Sequence, residues 1–240
     1  MTPLHNTIYH GIDSPFGFGQ VASSGYIDIN RMLDDFLSFL KTKDAYRLAE
    51  FDYQSLLETA DEIVYKEVKT KHVIFAEGFG MFKNPWFKDL PMIGTKGETL
   101  TVEVKGLQLP GIVKAGVFIL PLGNDLYRVG ATYDREDLSL NPTTEGRKIL
   151  ENELKQFMSL PYKIIAHDAG IRPTTADRKP LVGTHPKHKR FHILNGLGTR
   201  GVMLGPYVAE QLFSHLTTGA EIHFEADIKR FKKWERRISI

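Results

Sequence analysis

Apolar residues recur at intervals of three and four in Met32, Leu33, Phe36, Leu37 and Leu40, downstream of Asp28, which predicts an N-capped helix over 28–41. A second stripe, Ile149, Leu150, Leu154 and Phe157, follows Pro142-Thr-Thr-Glu145 and predicts a helix over 143–158. Between them the pattern turns to strands. Glu62 to Val68 reads as one, and the short apolar run His72-Val-Ile-Phe-Ala76 as a buried one. Thr99-Leu-Thr-Val-Glu-Val, Gly116-Val-Phe-Ile-Leu-Pro and Leu126-Tyr-Arg-Val-Gly-Ala-Thr alternate and are parted by Gly and Pro-Gly turns, which predicts an antiparallel sheet. The last third predicts a strand over Tyr162 to Ala166, a Gly-Ile-Arg-Pro turn, a strand over Phe191 to Leu194, a glycine-rich turn and a helix from about Val202 to Leu216.

Composition narrows the class. At 240 residues, with 42% hydrophobic and 25% charged residues, the chain suits one large or two interlocked domains and is neither collagen-like nor disordered. The net charge of +2 provides no global field toward nucleic acid or an anionic membrane. Cysteine is absent, which removes disulfides, thiolate nucleophiles and cysteine metal sites, and fits a reducing compartment, so a cytoplasmic location is expected. No apolar stretch approaches the ~20 residues of a membrane span. The N-terminus carries no secretory-signal pattern.

Few segments carry candidate chemistry. Asn195-Gly-Leu-Gly-Thr-Arg-Gly201 lies between a strand and a helix, where backbone N–H groups and the helix dipole favour negative charge and glycines admit a flat or phosphorylated ligand; a plain packing corner is the alternative. Arg172, next to Pro173, is a candidate carboxylate clamp, because its planar fork can donate two parallel bonds. An ion pair with Asp168 or Asp177 is the alternative. His185, His188 and His192 have helical spacing, but Pro186 and the strand pattern after Arg190 break it, so no metal site is expected. The basic C-terminal run from Lys229 to Arg237 could contact RNA, or be a solvated helix end.

Taken in order, several segments resemble the FAD-dependent D-amino-acid-oxidase-like (DAO) superfamily, which includes glycine and sarcosine oxidases. They are Gly25-Tyr-Ile-Asp-Ile-Asn, Val73-Ile-Phe-Ala-Glu-Gly78, Gly94-Thr-Lys-Gly97-Glu and Tyr127-Arg-Val-Gly-Ala-Thr132-Tyr, then Gly170-Ile-Arg-Pro-Thr-Thr-Ala-Asp-Arg-Lys-Pro-Leu-Val-Gly183 with Gly196-Leu-Gly-Thr-Arg-Gly-Val202 and the closing Phe224 to Phe231. The Gly-Leu-Gly-Thr-Arg-Gly turn is most similar to the FAD domain of the bifunctional enzymes that finish the 5-methylaminomethyl group on tRNA wobble uridine.

The resemblance implies an α/β fold in which an incomplete FAD-binding Rossmann-like domain interleaves with an antiparallel-sheet substrate domain. The expected division is 1–95 partial FAD-binding, with helix 28–41 and strand 72–76; 96–168 substrate domain, with helix 143–158; and 169–240 the C-terminal part of the FAD-binding domain. Arg172 would grip a substrate carboxylate. Gly78, Gly196, Gly198, Thr199, Arg200, Gly201 and Val202 would face the cofactor, with the helix end favouring the anionic reduced ring. The implied activity is hydride transfer from the carbon beside an amine to FAD. The partner would be a small amine or amino acid with a carboxylate; nucleic acid is not expected, except tRNA in one alternative.

The front departs from the family, which begins with a strand, a Gly-x-Gly-x-x-Gly turn and an acidic residue for the adenosine ribose. Gly17, Gly19 and Gly25 lack that spacing, and no other segment is expected to supply the pyrophosphate site. Glu77 and Leu197 are smaller departures. The expectation is therefore a C-terminal portion of a longer flavoenzyme that holds FAD weakly or not at all by itself. The alternatives are a non-catalytic binding module and part of a tRNA-modifying flavoenzyme.

Overall fold

The structure is a computed structural model that describes residues 2–4, 7–232 and 234. Its strands are β1 (Thr2–Leu4), β2 (Phe18–Gln20), β3 (Leu56–Glu58), β4 (Ile63–Tyr65), β5 (Val68–Thr70), β6 (Val73–Phe75) and β7 (Met92–Glu103). There follow β8 (Val113–Lys114), β9 (Phe118–Gly123), β10 (Leu126–Gly130), β11 (Lys163–Thr175), β12 (Leu181–Thr184) and β13 (Phe191–Asn195). The α-helices are α1 (Ile29–Thr42), α2 (Thr144–Lys155) and α3 (Gly201–Thr218).

The chain divides into two compact units, each assembled from three segments: residues 1–51, 99–131 and 143–167 form one, and residues 52–98, 132–142 and 168–240 the other. This division departs from the boundaries expected at 95/96 and 168/169. The helix at 28–41, expected with the cofactor part, belongs to the unit that holds most of the antiparallel sheet.

β10 pairs antiparallel with β9 and with residues 99–103 of β7, as the alternating pattern predicts, in a sheet of order β11-β7-β10-β9-β8. Thr143 caps α2 by accepting from the Gly146 N–H. The helix then drives Leu150 and Leu154 into a core with Leu100, Val102, Ile119 and Val129. Asp28 caps α1 in the same way, yet α1 has no buried residue, and Met32, Leu33 and Phe36 are exposed. The periodicity located that helix correctly and could not say what its apolar face meets.

In the second unit, β12 pairs antiparallel with β13, and β6 lies parallel to β13 on its other side. Val208 and Leu212 of α3 pack with Val182 of β12. The strand expected over Glu62 to Val68 is instead a hairpin, β4 and β5, turning at Lys66 with φ 53. The strand at 73–75 is only partly buried, since Ile74 is 49% exposed.

Four polar side chains join α3 to this sheet in one directed chain. His215 Nδ1 lies 2.8 Å from the Ala220 carbonyl, which can only accept, so in the neutral ring Nδ1 carries the proton and Nε2 accepts. The Thr184 hydroxyl, 3.3 Å away, then donates to His215 Nε2 and accepts from His192 Nδ1 at 2.9 Å. That leaves His192 Nε2 to accept from His72 Nδ1 at 3.0 Å. Elsewhere, His185 Nδ1 accepts from the backbone of Lys187 and His188, and His188 meets Glu58. Of the three histidines with helical spacing, His192 thus works in the chain to α3, while His185 and His188 are coupled to each other.

Candidate functional site

Two strand ends of the second unit and the C-terminal end of β11 meet at the glycine corners. Gly78 follows β6 with φ 56, and a Cβ there would meet nothing within 4 Å. Gly196 and Gly198 follow β13 with φ 69 and φ 55, backbone geometry that L side chains rarely adopt. Asn195 ties the corners together. Buried at the end of β13, its Oδ1 accepts from the Gly196 N–H at 2.8 Å, while its Nδ2 donates to the Gly78 carbonyl at 2.9 Å.

Arg172 arrives on a strand, not a turn. Gly170-Ile-Arg-Pro continues β11 through to Thr175, because the neighbouring β7 begins at Met92, well before the Thr99 start that alternation suggests. The far end of β11 packs on the glycine turn: a Cβ at Gly196 would lie 2.7 Å from Thr175 Cγ2, and one at Gly198 would lie 3.6 Å from Thr174 Oγ1. Arg172 thus lies two residues before Thr174, whose side chain borders the turn.

The guanidinium of Arg172 is half-buried and held from several sides. Its Nη1 donates to the carbonyls of Lys96 at 3.3 Å and Thr132 at 3.2 Å, and its Cζ sits 4.5 Å from the centre of the Tyr133 ring. Gly97 leaves the room it occupies. Burial draws its pKa down from the usual arginine value, opposed by Tyr133. The expected alternative of a pair with Asp177 does not hold, since Asp177 is engaged by Arg230 at 2.8 Å. Neither hydrogen bond of Arg172 named above reaches Asp168.

The remaining predicted residues lie along the turn. Thr199 is exposed, Gly201 opens α3, and Val202 is 51% exposed on its first turn. No side chain caps the start of α3. Arg200 aims its side chain elsewhere, with Nη2 donating to the Arg178 carbonyl at 2.6 Å, so only its backbone belongs to the corner. Glu77 is explained by its partners: its carboxylate accepts from the Tyr53 hydroxyl and from Asn84 Nδ2 at 2.8 Å. Burial and that carboxylate push the Tyr53 hydroxyl pKa up. Leu197 packs against the cluster that seats α3.

Sequence reasoning missed Asn195, Gly97, Tyr133 and Lys96 as site residues. Each sits beside a residue it did single out, but their roles depend on contacts across strands that no local pattern encodes. It also missed that Gly196, Gly198 and Gly201 have Gly-x-Gly-x-x-Gly spacing after β13 and before α3. The expectation concerned the front of the chain and a pyrophosphate site, and this spacing lies instead in the C-terminal third. The context differs from a dinucleotide βαβ unit, because the strand parallel to β13 is β6, earlier in the chain.

The corners combine open space at Gly78, positive φ at Gly78, Gly196 and Gly198, and a helix start without a side-chain cap, a setting that favours negative charge. The protein-family model for FAD-dependent oxidoreductases (DAO) matches residues 46–214. This chain belongs to the DAO family.

The DAO chain is 29% identical over 192 residues to the tRNA 5-methylaminomethyl-2-thiouridine biosynthesis bifunctional protein of Caulobacter sp. (strain K31), covering 78% of this chain and 31% of the relative. It is 28% identical over 162 residues to glycine oxidase of Bacillus subtilis (strain 168), covering 65% and 44%. It thus spans less than half the length of either relative. Among solved structures, L-proline dehydrogenase from P. horikoshii superposes with a TM-score of 0.66 at 18% identity, covering 85% of this chain and 60% of that one, which shows the shared fold. FAD is the cofactor of this family. No described helix is long and apolar enough to cross a membrane.

Proposed function

We propose that this chain forms the substrate-facing part of an FAD-dependent amine or amino-acid oxidoreductase resembling glycine oxidase. Its substrate would carry a carboxylate beside the amine. One observation carries the reading: the β11 end that holds Arg172 packs directly on the Gly196–Gly198 turn.

In this reading Arg172 receives the carboxylate. Its Nη1 is fixed to two carbonyls, so the fork is oriented before substrate arrives and loses little freedom on binding. The Tyr133 ring supports one face of the guanidinium. When bound, FAD supplies the acceptor for the hydride that leaves the carbon next to the amine. Gly78, Gly196, Gly198 and Gly201 allow close backbone approach to the ring, and Thr199, Arg200 and Val202 contribute their backbone at the positive end of α3, where negative charge is favoured. The oxidised substrate is an imine, which water then hydrolyses. This asks for little acid–base apparatus.

The glycine turn lacks the βαβ setting that anchors a pyrophosphate, so the 240 residues by themselves hold FAD weakly. The purified chain is expected to be colourless, whereas a flavin spectrum at one FAD per chain overturns that part. With FAD in excess and without oxygen, amino acids and secondary amines bearing a carboxylate should bleach the flavin. Arg172→Leu should weaken such substrates by about 2–3 kcal/mol, the scale of a charged hydrogen bond, and leave an amine without a carboxylate unaffected.

The similarity to the protein of tRNA 5-methylaminomethyl-2-thiouridine biosynthesis supports a second reading, in which the amine belongs to a wobble-uridine precursor of that modified nucleoside. Lys233 and residues 235–237 of the basic run lie outside the described residues. Bleaching by such a nucleoside and not by free amino acids would favour this reading over the first.

A further inference from the structure

We propose that Lys96 is a positioning residue for Arg172. Its buried ammonium pins the segment 132–141 against β7, and that segment in turn holds the guanidinium. The inference rests on the reading of Arg172 as the carboxylate clamp.

Lys96 is wholly buried, an expensive place for an ammonium unless it is fully paired. Its Nζ donates to the Asp137 carboxylate, to the Asn141 carbonyl and to the Ser139 hydroxyl at 3.2 Å, and Glu98 lies 3.7 Å away. Three of these four partners come from 132–141. The backbone closes the same junction, with the Lys96 N–H donating to Asp134 O at 2.7 Å and Asp134 N–H donating to Lys96 O at 3.0 Å. Hydrogen bonding to Asp137 raises the lysine pKa, and the lysine in return draws the Asp137 carboxyl down to about 2. Both groups are therefore charged at neutral pH.

The pinned segment supplies the Thr132 carbonyl and the Tyr133 ring to Arg172, and Lys96 supplies its own carbonyl. Every described anchor of the guanidinium therefore belongs to β7 or to the segment that Lys96 fastens to it. The side chain of Lys96 points into its own cluster and does not bond Arg172 itself, so its effect is on where Arg172 is held. Removing the ammonium leaves the Asp137 carboxylate and the Asn141 carbonyl without this partner and frees the segment that carries Tyr133.

The test measures ¹⁵N relaxation of arginine Nε–Hε groups in the full chain, together with acetate titration, for the parent, Lys96→Met and Asp137→Asn. Arg230, held by Asp177, is the internal control. The expected result is that the Arg172 order parameter falls below about 0.6 in both variants while Arg230 stays rigid, and that acetate binds at least about tenfold more weakly. Equal loosening of both arginines indicates general destabilisation and overturns the proposal. An unchanged Arg172 in folded Asp137→Asn overturns it even if Lys96→Met does not fold. Arg172→Leu separates the two claims. If it leaves acetate binding intact, the clamp reading fails, and the Arg172 order parameter alone then decides whether Lys96 positions it.

Discussion

Gly97 and Arg172 share one volume: a methyl group on Gly97 would lie 1.9 Å from Arg172 Nη2 and 2.2 Å from its Cζ. The backbone of Gly97 is not in the left-handed region, so space and not conformation requires glycine there. The obstructing atoms are the far end of a flexible side chain, which can yield where backbone could not. Gly97→Ala should therefore displace the guanidinium and spare the fold. Acetate affinity is expected to drop by at least about tenfold, roughly one charged hydrogen bond, with thermal stability changed by no more than about 1 kcal/mol. A titration beside a melting curve checks both.

Asn195 is a structural joint, and its loss should be felt as stability. Asn195→Ala removes the partner of the Gly196 N–H and of the Gly78 carbonyl in a buried place. At about 1–3 kcal/mol for each of these two unsatisfied groups, a loss of about 2–6 kcal/mol is expected in denaturant unfolding. A loss below about 1 kcal/mol would mean the corners are held by something else.

Acid should unfold this protein earlier than its carboxylates alone dictate. Burial pulls His192 and His185 from the ordinary 6.5 to about 4 each, helped by the nearby His72 and His215 for His192 and by His188, Lys189 and Lys187 for His185. Between those values the unfolded chain binds protons that the folded chain refuses. Stability is then full above about pH 6.5 and declines as pH falls toward 4, by up to about 1.4 kcal/mol per pH unit for each ring. Protonating His192 also reverses its acceptor for His72, breaking the directed chain to α3. Urea midpoints at pH 7.5 and 5 measure this, and His192→Gln should flatten the slope.

The regular parts of the fold were legible because periodicity is local. Asp28 and Thr143 mark the starts of α1 and α2, and the alternation of residues 118–130 marks two neighbouring strands. What failed was everything set by a distant partner. Gly-Ile-Arg-Pro carries turn residues, yet it is strand because β7 extends beside it. The apolar stripe of α1 predicts burial, yet its face is exposed. Arg172 was visible as a residue type, while Gly97, Tyr133 and Lys96 acquire their meaning only from packing around it.

In the proposed function, one carboxylate clamp and one glycine corner serve the same bound pair. A crystal of the chain soaked with FAD and glycolate tests it most directly. The expected density has the flavin ring against Gly196 to Gly201 and the glycolate carboxylate on the Arg172 guanidinium. Glycolate bound away from Arg172, or a flavin that avoids the glycine turn, would contradict it.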